Sequence, residues 1–201
     1  DSKRDLCKKI SSISSSLGAV VEVKNGVQAY TVGEGNPIQT EEMKRNRVYH
    51  SKEKVDDSWI KYVDGVDIHR YWLGWSGQYI KYGKNLTRHR KFELFRGERI
   101  LVRQIPAKPP YSILATFIKK ILINDNNGMI IRIINNNDLK IYYILGLLNS
   151  QLMSFWFNTT FNKFQRKIFP QFKVKELAQF PIYKASKEQQ SGIITLVNKL
   201  L

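Results

Sequence analysis

The sequence is short of the residues from which covalent, metal and catalytic frameworks are built. It holds one cysteine, Cys7, so no internal disulfide can form. A single thiol fits a reducing compartment, and Cys7 is expected to be an inert core or surface thiol. The three histidines, His50, His69 and His89, lie apart, none at metal-ligand spacing, so no zinc site is expected. Long hydrophobic runs are missing too. A membrane span needs about 18–20 consecutive apolar residues, whereas the longest apolar stretch, 141–157, is broken by Gly146, Asn149, Ser150, Gln151 and Ser154. The opening DSKRDLCKKISSISSS has no apolar centre for a signal peptide. A cytoplasmic protein without a membrane partner is expected. The first residue is not Met, which points to a piece of a longer protein.

Negative charge is the next scarcity. Only 17 Asp and Glu stand against 33 Lys and Arg, giving a formal net charge of +16 and a pI near 9.9. Otherwise the composition is that of a globular protein, with 42% hydrophobic and 25% charged residues in a chain of 201, enough to bury a sizeable core. The excess positive charge favours a polyanion, nucleic acid first and anionic membrane second.

Catalytic motifs are equally thin. Gly33-Glu34-Gly35 is followed by Asn36-Pro37 rather than by a helix pattern, so it is not a phosphate-binding loop. Lys108-Pro109-Pro110-Tyr111 is close to the Asn/Asp-Pro-Pro-Tyr of adenine amino-methyltransferases, which holds a flipped base. Here a lysine occupies the acceptor position, and a cation cannot accept a hydrogen bond. Asp56, Asp57 and Lys61 lack the strand that would separate nuclease carboxylates from their lysine, and Asp64 and Asp67 suit a turn. The chain reads as a binder, with no catalytic residue, metal or cofactor of its own.

Periodicity suggests an α+β fold: a twisted, mixed or mostly antiparallel sheet, partly barrel-like, followed by C-terminal helices. A helix is expected over 2–17, then a strand over 19–23. Asn25-Gly26, a strong hairpin signal, would turn the chain into a second strand over 27–32. Residues 41–54 read as a loop or surface helix. Further strands are expected at 59–63, 99–105, in 112–123 and at 129–134, with a turn at 124–128. Arg99 and Arg103 share one face of their strand, where solvation is the alternative to a contact. Helical spacing takes over at 138–158, with Asp138 in the N-cap region and a break at Asn149-Ser150, and a last helix is expected over 187–201. A strand-rich lobe, 1–137, would thus carry a helical, spacer-like part, 138–201, in one unit.

What the sequence has in plenty is cations interleaved with flat rings. Residues 61–105 place Lys61, Arg70, Lys81, Lys84, Arg88, Arg90, Lys91, Arg96, Arg99 and Arg103 among Tyr62, Tyr71, Trp72, Trp75, Tyr79, Tyr82, Phe92 and Phe95. Cations neutralise phosphates and rings pack on sugars or bases. A half-buried sheet with a solvated outer face produces the same pattern, so both readings stand at this point. A second basic–aromatic segment, NKFQRKIFPQFKVKEL at 162–177, follows later with Lys163, Arg166, Lys167, Lys173 and Lys175.

In order along the chain stand GVQAYTVG at 26–33, VDGVDIHRYW at 63–72, YIKYG at 79–83, ERILVRQI at 98–105, YYILGLLNSQLMSFWF at 142–157 and FPQFKVKELAQFPI at 169–182. This series resembles the C-terminal specificity domain of adenine-N6 DNA methyltransferases and fused type II restriction–modification enzymes. The resemblance implies a target-recognition domain for double-stranded DNA. It would work beside a catalytic methyltransferase domain of the same polypeptide, which uses S-adenosylmethionine and in some members is joined to a nuclease. Base-reading residues vary with the target in that family, so the site residues are ranked from chemistry alone. Lys61, Lys81, Lys84, Arg88, Arg90, Lys91, Arg96, Lys163, Arg166 and Lys167 are the phosphate-contact candidates. Gln28, Tyr30, Arg70, Trp72, Trp75 and Tyr79 are the base or groove candidates, with inward packing the alternative for each ring. A module for RNA or single strands is the other class of reading that these residues allow.

Overall fold

The computed structural model describes residues 2–134, 138–161 and 170–201. Its central layer is built from the runs that carry no polar alternation. β6 (Arg99–Arg103) and β9 (Gly128–Ile133) join β2 (Val21–Asn25) and β7 (Ala115–Ile118) in an antiparallel sheet of order β2-β9-β6-β7. Successive side chains leave a strand on opposite faces. Ile100, Val102, Met129 and Ile131 therefore enter one core, while Leu101 and Ile130 enter a second. A sheet covered on both sides needs apolar residues at every position, and that is why these two strands read as continuous runs.

The first core is closed by α1 (Ser2–Ser12), α3 (Ile141–Leu148), α4 (Gln151–Phe161), α5 (Val174–Leu177) and α6 (Lys187–Leu200), which bring Cys7, Ile144, Phe157, Leu177 and Val197 onto the sheet. Elements from both sides of residue 137 share it. β1 (Ser15–Ser16) pairs with β10 (Pro181–Ile182) beside these helices. The second core lies between the central sheet and another of order β3-β5-β4-β8. Its strands are β3 (His50–Ser51), β5 (Gln78–Lys81), β4 (Trp59–Val63) and β8 (Ile123–Asn124), with only the β4–β8 pair parallel. The α+β class is as expected. No sheet among the described residues closes on itself, so the barrel-like element of the expectation gives way to open sheets stacked across a core.

Four local readings are corrected. Asn25-Gly26 makes no hairpin: β2 pairs with β9, Asn25 lies opposite Met129, and residues 27–32 form no strand. Gly26 is there for close approach, since a Cβ would fall 2.2 Å from the carbonyl oxygens of Asn124 and Asp125. Residues 27–32 are held instead by the buried amide of Gln39, which donates to the Ala29 and Asn85 carbonyls and accepts from the Thr31 N–H. The first helix stops at Ser12, inside the serine run, rather than at Leu17. Arg99 is not solvated; it is 0% exposed and donates to the carbonyls of Gly97, Lys120 and Leu122. Asp138 does not cap α3, whose N-cap is Lys140. The side chain of Gln190 on α6 accepts the Lys140 N–H and donates to Asp138 O.

The helix break is where the pattern places it, and Asn149 shows why. This residue ends α3, is fully buried, and turns its amide onto β7. Oδ1 accepts from Ala115 N at 3.0 Å and Nδ2 donates to Ala115 O at 2.9 Å, the pairing a neighbouring strand would supply. Ser150 then starts α4 by accepting the Met153 N–H. α2 (Glu41–Arg45) is the short surface helix, capped by the Thr40 hydroxyl.

Candidate nucleic-acid interface

The interleaved segment sorts its residues by strand alternation. In β4 and β5, Ile60, Tyr62 and Ile80 face the second core, so Trp59, Lys61, Tyr79 and Lys81 face outward. Register sets Trp59 opposite Lys81 and Lys61 opposite Tyr79. Trp75 comes from the loop before β5, with its indole N–H donating to Gln78 O at 2.9 Å. Lys61 Nζ lies 4.3 Å from the centre of the Trp75 ring, and Tyr79 meets that ring edge-on at 5.4 Å. Four of the candidates, Lys61, Lys81, Trp75 and Tyr79, are thus gathered on one sheet face.

The remaining described phosphate candidates follow in the loop 84–96. Its apolar side chains point in: Phe95 and Leu86 are buried, and Tyr82 packs on Phe92 and Phe95. Its cations, Lys84, Arg88, Arg90, Lys91 and Arg96, stay exposed. The loop is tied down by backbone pairing of Arg88 with Gln28, by Arg90 Nε donating to Gly26 O at 3.2 Å, and by the Tyr82 hydroxyl donating to Arg90 O at 2.7 Å. Burial holds that phenol's pKa at about 12, so it remains a donor. Among the described residues none of these five cations forms an ion pair.

Other candidates are placed differently. Gln28 has both ends of its amide engaged, donating to Tyr30 O and accepting from Asn126. The Tyr30 hydroxyl accepts from Tyr49 N and pairs with His50 Nδ1 at 2.9 Å. Burial pushes that phenol up to about 12, and burial followed by the Arg47 charge pushes His50 down to about 3. His50 is therefore neutral. Arg70 bolts the loop after β4 to the helices: Nε donates to Asn149 O, and the guanidinium stacks 3.9 Å over Tyr111, the tyrosine of the Pro-Pro-Tyr run. Trp72 lies parallel to His69 at 3.9 Å yet is 57% exposed. Lys163, Arg166 and Lys167 lie outside the described residues.

One pairing escaped the sequence reading. Arg103 and Asp125 line one cavity of about 250 Å³ with Asp64 and Asn127. Burial raises the Asp125 carboxyl to about 6. The signal for Asp125 was only that of a turn residue, and nothing in the sequence joins it to Arg103. Among the described residues no three His, Cys, Asp or Glu come together as a metal site, and no helix is long and apolar enough to cross a membrane.

Residues 60–182 match the family model described as the TaqI-like C-terminal specificity domain. A comparison with curated proteins finds no match. Among solved structures, the type IIG restriction endonuclease BpuSI superposes with a TM-score of 0.61 at 7% identity, over 99% of this chain and 28% of the other. A chain from a type I restriction–modification complex matches with a TM-score of 0.50 at 11% identity, over 99% and 45%. The HsdS subunit from Thermoanaerobacter tengcongensis gives 0.49 at 10%, over 99% and 43%. The chain thus spans less than half the length of each, and at these identities the likeness is one of fold.

Proposed function

From its membership of the TaqI-like C-terminal specificity domains, to which the chain belongs, we propose that it recognises a sequence in double-stranded DNA for a restriction–modification adenine-specific methyltransferase. In this reading the chain is not itself the catalyst. It positions the target for a catalytic domain outside it, and that domain uses S-adenosylmethionine in the cytoplasm. The lobe 1–137 presents the DNA-binding surface, and the helical part 138–201 braces it. The observation that carries the reading is that the family match, 60–182, takes in the whole loop 84–96, whose five exposed cations form no ion pair among the described residues.

A duplex carries one charge per about 1.7 Å of axis, and each phosphate neutralised releases counterions, so affinity falls steeply with salt. Arg88 and Arg90 meet this need as rigid points, because their backbones are pinned to Gln28 and Tyr82. The test is duplex binding by the wild type and by the Arg88→Glu/Arg90→Glu double variant across a salt series. The reading expects the variant to bind at least about tenfold more weakly, with a log–log salt slope shallower by about 2. Unchanged affinity and slope would remove this surface from the interface.

A further inference from the structure

The outer face of β4 and β5 carries more than a duplex backbone needs. Phosphates call for Lys61 and Lys81 alone, yet these alternate with Trp59 and Tyr79 and are roofed by Trp75, which is 43% exposed. Leaving indole surface in water forgoes burial of its apolar area. We propose that this face is a second binding site, for the unpaired bases of single-stranded DNA, separate from the duplex-gripping loop 84–96.

Three features fit that ligand. The rings are held before any ligand arrives: the Trp75 N–H is committed to Gln78 O, and Tyr79 stands perpendicular to the Trp75 ring at 5.4 Å. Trp75 keeps 43% of its surface exposed, and a base can stack on exposed indole whatever its sequence. The amines are close to the rings: Lys61 Nζ lies over the Trp75 ring, 4.3 Å from its centre, and the Lys52 ammonium is anchored to Ser76 O at 3.0 Å. Rings with flanking ammonium groups match the alternation of base and phosphate along an unpaired strand. In a duplex the base faces are stacked on one another and closed to such rings.

The inference does not depend on the proposed duplex function, and one experiment separates them. A labelled oligothymidylate of about 12 nucleotides and a labelled duplex are titrated with the wild type, Trp75→Ala, Tyr79→Ala and Trp75→Phe. The wild type should bind the single strand. Each alanine variant should lose about 5- to 100-fold for the single strand, well beyond any loss for the duplex, and Trp75→Phe should retain binding. No single-strand binding at low salt overturns the inference. Equal losses for both ligands also overturn it, because the face would then belong to the duplex surface. Both side chains are partly or largely exposed, so melting temperatures should hold and confirm that the variants fold.

Discussion

Asn149→Asp swaps one nitrogen for oxygen at the joint between the central sheet and the helices, and its effect should depend on pH. The native amide is fully buried and meets both backbone groups of Ala115, at 3.0 and 2.9 Å. An ionised carboxylate keeps the bond from Ala115 N but sets an oxygen against Ala115 O where a donor stood. Ala115 O keeps the Tyr71 N–H at 2.9 Å, so the cost comes from two acceptors set face to face and from a charge placed in the core. A protonated carboxyl restores both bonds, since its O–H can donate. The introduced group should therefore have a folded-state pKa raised above the ordinary 3.9 or so. For such a group the stabilising contact is complete below the unfolded pKa and is lost as pH rises through the folded one. An upward shift of about 2 units corresponds to about 2.7 kcal/mol at neutral pH, or roughly 5–11 °C in Tm for a domain of this size. Thermal melts of wild type and variant at pH 4.5 and 7.5 decide the matter, with Asn149→Ala as a control whose deficit should not change with pH. A variant as stable as wild type at pH 7.5, or a deficit that does not narrow in acid, would refute the pairing with Ala115.

Other changes test separate parts of the fold. Arg99→Leu should destabilise by about 3 kcal/mol by denaturant melting, because three carbonyls lose the donor they share. Gly26→Ala should cost at least about 2 kcal/mol, since its Cβ would meet two backbone oxygens at 2.2 Å. Stability should fall on acidification below about pH 6.5, because the unfolded state protonates His50 while the folded state holds its pKa at about 3. The raised Asp125 carboxyl opposes this trend between about pH 4 and 6, so melts of His50→Gln should show a reduced or reversed acid slope.

Much of the fold is legible wherever a pattern is enforced on both sides of a chain segment. Ile100–Val102 and Met129–Ile131 have no polar alternation because both faces are covered, and the Asn149-Ser150 break shows because cap-forming residues interrupt an apolar helix. Where local chemistry competes with a distant partner, the local reading fails. Asn25-Gly26 has every property of a hairpin turn, yet the strand that β2 meets lies about a hundred residues away, and Gly26 answers to that strand's turn. Arg99 failed for a related reason: its three acceptors sit in loops that no spacing announces. At the interface, composition found the cations, but telling anchoring rings such as Phe95 from open ones such as Trp75 required knowing which strand face meets the core.

The central claim, sequence-specific duplex recognition, is tested most directly by selecting DNA from a randomised duplex pool with this chain at low and moderate salt and sequencing what is retained. The account predicts recovery of one short motif, held more persistently than bulk DNA as salt rises. No retention at low salt would contradict it.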